Sequence, residues 1–420
     1  MNDVDRRDLL RLGASALSLA LLERCWLRDA RADAPGARPA ARAKGVILLY
    51  MNGGPSHVDT WDPKPGSRGS GPGKAIKTAT PGLSISEHMP RLAALSGKYS
   101  VIRSLTSKEG NHQRAKYLYH TSYSPNPTVQ HPSLGGWVSK RLGAPVGGLP
   151  AFVSLGGPSH GAGFFGVQHG PFVLQKGGGM PQNVASPEGI DAARASSRLG
   201  LLDAMESDFA ARTQDPKVLG RRALYAQAVR LMQAPDIKAF ELADEPEAIV
   251  KGFGDTDFGR ACLVASRLVA SGVRYVEVVL DGWDTHQDNF GRTGKLMAAL
   301  DPALSALLVD LERRQLLSST LVAWMGDFGR TPRINGNEGR EHHPQAASAV
   351  LAGGGIRGGR LYGATDGEGD RVASNPVTPA DLLATIATAL GLDPADAVLS
   401  PAGRPIALTD GGAPIRELLV

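Results

Sequence analysis

The chain has 420 residues, of which 42% are hydrophobic and 21% charged, and its formal net charge is +5. Residues 1–44 hold nine Lys or Arg and six Asp or Glu, which leaves 37 basic and 35 acidic side chains in the rest of the chain. The apparent basicity of the chain is therefore no indication of nucleic acid, which is not expected as a partner. The length allows one large domain with a buried core, or two smaller domains.

The first segment has the pattern of an export signal. Arg6 and Arg7 precede an uncharged apolar run, residues 13–22, which is too short to span a bilayer. A small-x-small step, Ala-Arg-Ala, ends at Ala32 and provides a cleavage site. The pattern predicts a twin-arginine signal, with the twin-arginine translocation machinery as a partner and a periplasmic or secreted location. The alternative is a disordered basic tail.

The predicted organisation has three parts: a signal peptide over residues 1–32, a linker over 33–44 and a single domain over 45–420. Within the domain, residues 156–272 are expected to form a glycine-rich and helical insertion or flank. Once the leader is removed, Cys262 is the single cysteine, so no internal disulfide is possible. The mature chain contains no run apolar enough for stable insertion into a membrane.

Three apolar runs predict buried strands. VILLYMN (46–52) is a continuous apolar run, as a parallel strand buried on both faces requires. VRYVEVVL (273–280) and STLVAWM (319–325) are also largely apolar, and a long helical segment lies between them. A strand, a long helix and a strand form a βαβ unit, whose two strands run parallel.

The remaining patterns surround this sheet with helices. The stretch 156–179 contains too many glycines to build a core. The predicted fold class is therefore α/β, with a mostly parallel central sheet flanked by helices. The other predicted elements are a helix over 88–96, a strand over 99–105, helices within 110–142, a strand over 151–155, helices over 192–272 and a last helix over 378–390.

Acidic and imidazole residues are concentrated directly after the three apolar runs. In open parallel sheets, the loops beyond the carboxyl ends of the strands converge on a ligand. Mixed imidazole and carboxylate donors suit one or two Zn²⁺ or Mn²⁺ ions, with Ca²⁺ or Mg²⁺ as alternatives. The predicted metal ligands are Asn52, His57 and Asp59 after the first run, Asp281, Asp284 and His286 after the second, and Asp327, His342 and His343 after the third.

Spacing assigns some roles within this set. Asp284 and His286 are two residues apart, so an extended segment presents both to one ion, and Asp281 would hold the imidazole of His286. His342 and His343 are adjacent, so one is expected to bind the metal and the other to be its neighbour.

The acidic and imidazole residues also have structural alternatives. His57 could bond a backbone carbonyl, and Asp59 and Asp62 could close turns. Asp327 could cap the turn made by Gly329.

Two arginines flank the third group of ligands. A guanidinium beside a metal suits a tetrahedral oxyanion, which it can grip with two hydrogen bonds, so Arg330 and Arg340 are predicted to stabilise charge during catalysis. Alternatively, they neutralise Asp327 and Glu341 as structural ion pairs. The pentapeptide GGPSH occurs at 53–57 and again at 156–160, and its different flanks indicate two similar loops rather than a duplicated domain.

Three motifs together resemble a known exported bacterial family, domain of unknown function 1501. They are GGPSHVDTWDPKP, DGWDTH and GDFGRTPRINGNEGREHHP, and the resemblance covers nearly the full length behind the leader. The family is placed in the alkaline phosphatase/sulfatase superfamily. The resemblance therefore implies a three-layer alkaline phosphatase-like fold and a metal-dependent hydrolase.

The superfamily pattern also implies a nucleophile, with departures. Its phosphodiesterases have a Ser or Thr followed by Asn-His, and here Ser107 stands upstream of Asn111 and His112, with Thr106 and Ser56 as alternatives. The hydroxyls lie further upstream than in those enzymes. Asn52 stands where they have a metal-binding Asp, and Phe328 follows Asp327 where they have His. The formylglycine pentapeptide of sulfatases does not occur.

Two functions follow from these residues. The first is a metallohydrolase acting on a phosphate or sulfate ester of a small molecule or polysaccharide, with Ser107 or a water attacking. The second is a non-catalytic relative that binds an anionic or polysaccharide partner. Asn52 and Phe328 favour the second function, and the retained Asp, His and Arg residues favour the first.

Overall fold

The protein is represented by a computed structural model that describes residues 41–175, 177–185, 188–213 and 215–420. The predicted signal peptide lies outside the described residues. None of the helices in the described part of the chain combines the length and apolar character that crossing a bilayer requires.

The strands are numbered in chain order. They are β1 (Gly45–Met51), β2 (Ala75–Lys77), β3 (Ser84–Ser86), β4 (Tyr99–Leu105), β5 (Phe152–Leu155), β6 (Phe172–Leu174), β7 (Tyr275–Leu280), β8 (Thr320–Gly326), β9 (Gly329–Ile334), β10 (Arg340–His343), β11 (Ala347–Gly353), β12 (Arg360–Tyr362), β13 (Ala364–Thr365), β14 (Val372–Ser374), β15 (Ala397–Leu399) and β16 (Pro405–Ala407).

The α-helices of the described residues are numbered in the same way. They are α1 (Pro90–Ala94), α2 (His112–Thr121), α3 (Leu134–Leu142), α4 (Ala192–Thr213), α5 (Pro216–Met232), α6 (Glu247–Gly252), α7 (Asp257–Ala270), α8 (Asn289–Arg313) and α9 (Pro379–Ala389).

Eight strands form one central sheet in the order β12-β4-β11-β8-β1-β7-β5-β6. Five neighbouring strands, from β8 to β6, are parallel, as are β12 and β4, whereas β11 is antiparallel to both of its neighbours. The predicted α/β class with a mostly parallel sheet is confirmed. The βαβ unit is β7-α8-β8, and β1 lies between its two strands.

Helices cover both faces of this sheet. Along β1, Ile47 and Leu49 belong to the core that contains buried residues of α7 and α8, whereas Val46 and Leu48 belong to the core that contains those of α2, α3 and α9. Successive side chains of a strand point to opposite faces, so a run that is apolar at every position is buried on both. This explains why β1 reads as a continuous apolar run and why β7 and β8 are apolar at nearly every position, the charged exception being the buried Glu277 of β7.

The three predicted strands end at one edge. Met51 pairs with Leu280 of β7 and with Gly326 of β8, so the segments that follow these strands begin side by side. The positions of these loops are therefore fixed by the register of the sheet.

The expectation for residues 156–179 is partly wrong. Phe172 to Leu174 form β6, which pairs with β5 at the edge of the sheet, and Phe165 is buried against Trp137. The glycines supply turns, while the few large apolar residues between them still reach the core.

Candidate metal centre

Four segments meet beyond the carboxyl ends of β1, β7 and β8. Asp284 and His286 lie in the loop after β7, and Asp327 directly follows β8. His342 comes from the antiparallel hairpin of β9 and β10, in which it pairs with Arg330. The fourth segment is the start of α2, with His112 as its first residue.

Two glycines allow the segments to approach. Gly53 has φ +113°, and a Cβ there would lie 2.4 Å from the backbone nitrogen of Asp284. A Cβ at Gly339 would lie 1.8 Å from the carbonyl oxygen of His286. A side chain at either position would separate the loop after β7 from the neighbouring loop or hairpin.

Three imidazoles converge on a single carboxylate oxygen. The Nε2 atoms of His112, His286 and His342 lie 3.3, 3.1 and 3.4 Å from Oδ1 of Asp284. The Nε2 atoms of His286 and His342 are 2.9 Å apart. Nη2 of Arg330 approaches the same carboxylate oxygen to 2.5 Å.

The other nitrogen of each imidazole has an oxygen partner. Such a partner accepts the Nδ1 proton, so that in a neutral imidazole Nε2 carries the lone pair. None of the three Nε2 atoms can then donate to another, and three lone pairs face one carboxylate oxygen. The Nδ1 partners are Asp327 Oδ2 for His112 at 2.7 Å, Glu341 Oε2 for His286 at 2.6 Å and the Gly110 carbonyl for His342 at 2.7 Å.

Asp327 is the buried support of His112. Besides Nδ1 of His112, it accepts the backbone N–H of Gly53 at 3.1 Å and the hydroxyl of Tyr50. Burial and then the charge of Asp327 raise the pKa of Tyr50 well above its usual value, so Tyr50 remains a donor. Asp327 and Tyr50 are both fully buried.

Charge at the centre favours a cation. Three carboxylates contact the imidazoles and one guanidinium contacts Asp284, so neutral imidazoles leave two negative charges in excess. Burial acts to raise the pKa of Asp284, but Arg330 and the neighbouring imidazoles outweigh it and lower the pKa to about 2. Burial acts to lower the pKa of His112, but Asp327 and Asp284 outweigh it and raise the pKa. Burial, with Arg330, lowers the pKa of His342.

The donor set fits a divalent cation. One ligand atom each from His112, Asp284 and His342 lie within 4.8 Å of one another. Nε2 of His112 is buried and receives no hydrogen bond from the described residues. Imidazole nitrogen with carboxylate oxygen suits Zn²⁺ or Mn²⁺, and Nε2 of His286 lies beside this group, 2.9 Å from Nε2 of His342.

Arg330 and Arg340 are not free to bind an oxyanion, contrary to the prediction. Both are fully buried, and every guanidinium nitrogen donates to a protein oxygen. Arg330 bonds Asp284 and backbone carbonyls, including that of Gly54. Arg340 bonds both carboxylate oxygens of Asp59, at 2.7 and 2.9 Å. The alternative reading as structural ion pairs fits better, although the partners are Asp284 and Asp59 rather than Asp327 and Glu341.

Two predicted histidine ligands lie apart from the convergence point. His57 is buried, and its Nε2 contacts the carbonyl of Gly369 at 2.7 Å. His343 contacts the carbonyl of Asp370 at 2.6 Å and stacks on His57. Because side chains alternate along β10, His343 lies on the other side of the strand from His342.

Three acidic or amide residues predicted as ligands have other partners. Asp59 is held by Arg340 and accepts from Ser56 at 2.5 Å. Asn52 donates to Asp281 at 2.5 Å, so Asp281 does not hold His286. Glu341 takes that place instead.

The nucleophile motif is divided between two environments. His112 joins the centre, whereas Asn111 caps α2 by accepting the N–H of Arg114 at 3.2 Å. Ser107 lies beside the buried Tyr119, and no hydrogen bond among the described residues links it to the imidazoles. The geometry therefore gives Ser107 no base.

Sequence reasoning missed two supporting residues. Glu341 lies inside the third motif but was considered only as an ion-pair partner. Tyr50 is the one hydroxyl-bearing residue of the apolar run that forms β1, which is a signal that it bonds a polar group beyond the strand.

The chain belongs to the family described as protein of unknown function (DUF1501), whose model matches residues 43–419. This confirms the family suggested by the three motifs. A search of the curated proteins found no match.

Several solved structures are similar in outline. A lipoteichoic acid synthase from Listeria monocytogenes is 10% identical, with 90% of this chain and 77% of that chain covered and a TM-score of 0.40. A protein of the alkaline phosphatase superfamily from Vibrio parahaemolyticus is 11% identical, with 85% and 68% covered and a TM-score of 0.38. A phosphonate monoester hydrolase from Silicibacter pomeroyi is 11% identical, with 89% and 76% covered and a TM-score of 0.37. These scores are too low to support an activity for this chain.

Proposed function

We propose that the protein is a metal-dependent hydrolase of phosphate or sulfate esters. The observation that carries the proposal is the convergence of three imidazole Nε2 atoms on Asp284, with each Nδ1 held by an oxygen acceptor. Without a cation, three lone pairs and a carboxylate repel one another. Proteins use this arrangement to bind transition metals, because the outer hydrogen bonds fix the ring and its tautomer.

Each residue has a defined task in this proposal. His112, His342 and Asp284 would hold the cation, with His286 as a fourth ligand. A divalent cation at this position polarises ester oxygens and lowers the pKa of water. Asp327 keeps the imidazole of His112 oriented. Arg330 holds Asp284 and adds positive charge near the bound ester, without donating to it.

Water is the proposed attacking group. Ser107 has no base, and the described residues offer no other hydroxyl that contacts the imidazoles. The side chains of His112, His286 and His342 are 30, 42 and 27% exposed, so water and a substrate can approach the centre, although Nε2 of His112 itself is buried. An open groove of about 860 Å³ adjoins His342 and is lined by polar residues including Gln345 and Arg371, which leaves room for a sugar-sized substituent.

The test compares metal content and hydrolysis in matched histidine variants. Wild-type protein loaded with Zn²⁺ or Mn²⁺ should bind one or two ions per chain and hydrolyse members of an aryl phosphate and sulfate panel. His286→Ala and His342→Ala should lose both properties. His88→Ala is the control, because His88 is exposed and contacts none of the imidazoles of the centre. Wild-type protein that takes up no metal would exclude the proposal.

A second candidate function is binding without catalysis. It is favoured by the buried, fully bonded Arg330 and Arg340, since neither guanidinium is available to stabilise charge on a reacting ester. In this case the protein would bind stoichiometric metal and retain an anionic or polysaccharide ligand, yet turn over no ester on the panel.

We also propose export through the twin-arginine pathway, on the basis of Arg6 and Arg7. Replacing both with Lys in the full chain should leave the protein unprocessed in the cytoplasm. Normal appearance in the periplasm after that change would contradict the proposal.

A further inference from the structure

A second buried polar cluster lies under α2. Glu277 of β7 is fully buried, and its Oε1 lies 3.1 Å from Nε2 of His120. Ser159, from the second GGPSH loop, donates its hydroxyl to the other carboxylate oxygen. Nδ1 of His120 bonds the carbonyl of Lys116 at 2.7 Å. A carboxylate at this depth is costly unless its hydrogen bonds fix a specific arrangement, which here is the docking of α2 on the sheet.

Tyr50 connects this cluster to the metal centre. Its ring packs on His120 with centroids 4.5 Å apart, and Nζ of Lys116 lies 5.6 Å from the ring centroid. The hydroxyl at the far end of the ring donates to Asp327. His120, Lys116 and His112 are spaced four residues apart on α2, so one face of the helix spans from the buried cluster to the centre.

The hydroxyl of Tyr50 is one of three donors that Asp327 accepts. The others are the Gly53 N–H and Nδ1 of His112, and both oxygens of this carboxylate are buried. Without the hydroxyl, one carboxylate oxygen loses its partner, and Asp327 can rotate away from His112. The imidazole would then be free to carry its proton on Nε2.

We propose that Tyr50 is a positioning residue that fixes His112 in its Nδ1–H tautomer through Asp327. The His120–Glu277 pair holds the ring of Tyr50, which gives the second GGPSH loop a role in supporting the centre. This inference rests on the proposed metal centre, although Tyr50 itself touches neither the cation nor a substrate.

The first test reads the tautomer in metal-free protein. Because the pKa of His112 is raised, the measurement is made at alkaline pH, where the imidazole is neutral. Protein labelled with ¹⁵N at histidine should then show His112 with its proton on Nδ1, the signal being assigned by its loss in His112→Gln. In Tyr50→Phe the His112 nitrogens should shift to a mixture of tautomers. Tyr99→Phe is the control, because that equally buried hydroxyl bonds the Leu92 carbonyl. A wild-type tautomer in Tyr50→Phe would overturn the proposal.

The second test measures Co²⁺ affinity by competition with a chelator. Tyr50→Phe should weaken binding roughly 10-fold or more, as expected when an outer hydrogen bond to a ligand is lost. Asp327→Asn should weaken it at least as much, and the double variant should bind no more weakly than Asp327→Asn, because both changes break one chain. If the double variant lost the sum of the two single losses in Co²⁺ affinity, Tyr50 would not act through Asp327. Wild-type protein without Co²⁺ affinity would exclude the metal centre, while the tautomer test would still decide the role of Tyr50.

Discussion

Arg340 is fully buried, and its guanidinium donates hydrogen bonds to Asp59 and three backbone carbonyls. Arg330 is equally buried, yet its carboxylate partner is Asp284, to which the three imidazoles point. The two arginines of this motif therefore have different roles. Arg330 belongs to the centre, whereas Arg340 ties the hairpin of β9 and β10 to the loop after β1.

Arg340→Met should destabilise the protein without affecting the metal centre. Removing the guanidinium leaves Asp59 as a buried charge with no cation, a change that typically costs about 3–5 kcal/mol. We expect a loss of that size in the free energy of unfolding, measured with denaturant on metal-free protein, and an unchanged number of bound ions in the folded variant.

The control for this variant is Arg371→Met, because the Arg371 side chain is 82% exposed and should contribute within about 0.5 kcal/mol. If Arg340→Met kept full stability but lost hydrolysis, Arg340 would act on the substrate, as the sequence suggested.

At the scale of elements, the centre depends on how closely two loops approach. The loop after β1 passes the loop after β7 at Gly53, where no room exists for a side chain. Gly53 also donates its N–H to Asp327, so the same residue positions the support of His112. One backbone position therefore links the ends of all three central strands.

Gly53→Ala should weaken metal binding by more than its loss of folding stability explains. A residue with a Cβ at positive φ costs roughly 1–2 kcal/mol, and the added methyl group at 2.4 Å from Asp284 N must also push the loops apart. We expect at least a 10-fold loss of Zn²⁺ affinity, measured by chelator competition.

Gly66→Ala is the matched control. Gly66 also has a positive φ, of +87°, but its Cβ would meet nothing within 4 Å. It should lose the same roughly 1–2 kcal/mol and keep its metal affinity. Equal affinity losses in the two variants would show that backbone strain, rather than loop contact, causes the effect.

The elements that the sequence predicted well are those with a strong apolar signal. The sequence predicts β1, β7, β8 and α8 because the strands are largely apolar, with Glu277 as the charged exception in β7, and because the helix between β7 and β8 is long. The hairpin of β9 and β10 is not predicted, since charged residues dominate its sequence. Its register shifts between Arg340 and His342, which sets the directions of these two side chains independently.

At the scale of the whole molecule, the sequence could not predict which side chains pair when they are far apart along the chain. Asp59 and Arg340 are 281 residues apart, and both were predicted to serve the site. A sequence shows which residues follow the strands, but the direction of each side chain depends on the packed loops. For the same reason, His112 was considered with the nucleophile motif and not among the ligands. The resemblance to a family could not resolve this either, because its motifs specify positions and not contacts.

Stability of the whole protein should fall in mild acid because a histidine is buried in its neutral form. Burial lowers the pKa of His57 to about 4, against about 6.5 in an unfolded chain. The unfolded state therefore takes up the proton first, so stability is complete above pH 6.5 and is lost as the pH falls towards 4. The loss approaches roughly 3 kcal/mol for this residue. Metal-free protein should show this decline in denaturant unfolding, and His57→Gln should flatten it. An unchanged slope in His57→Gln would assign the acid sensitivity to other groups.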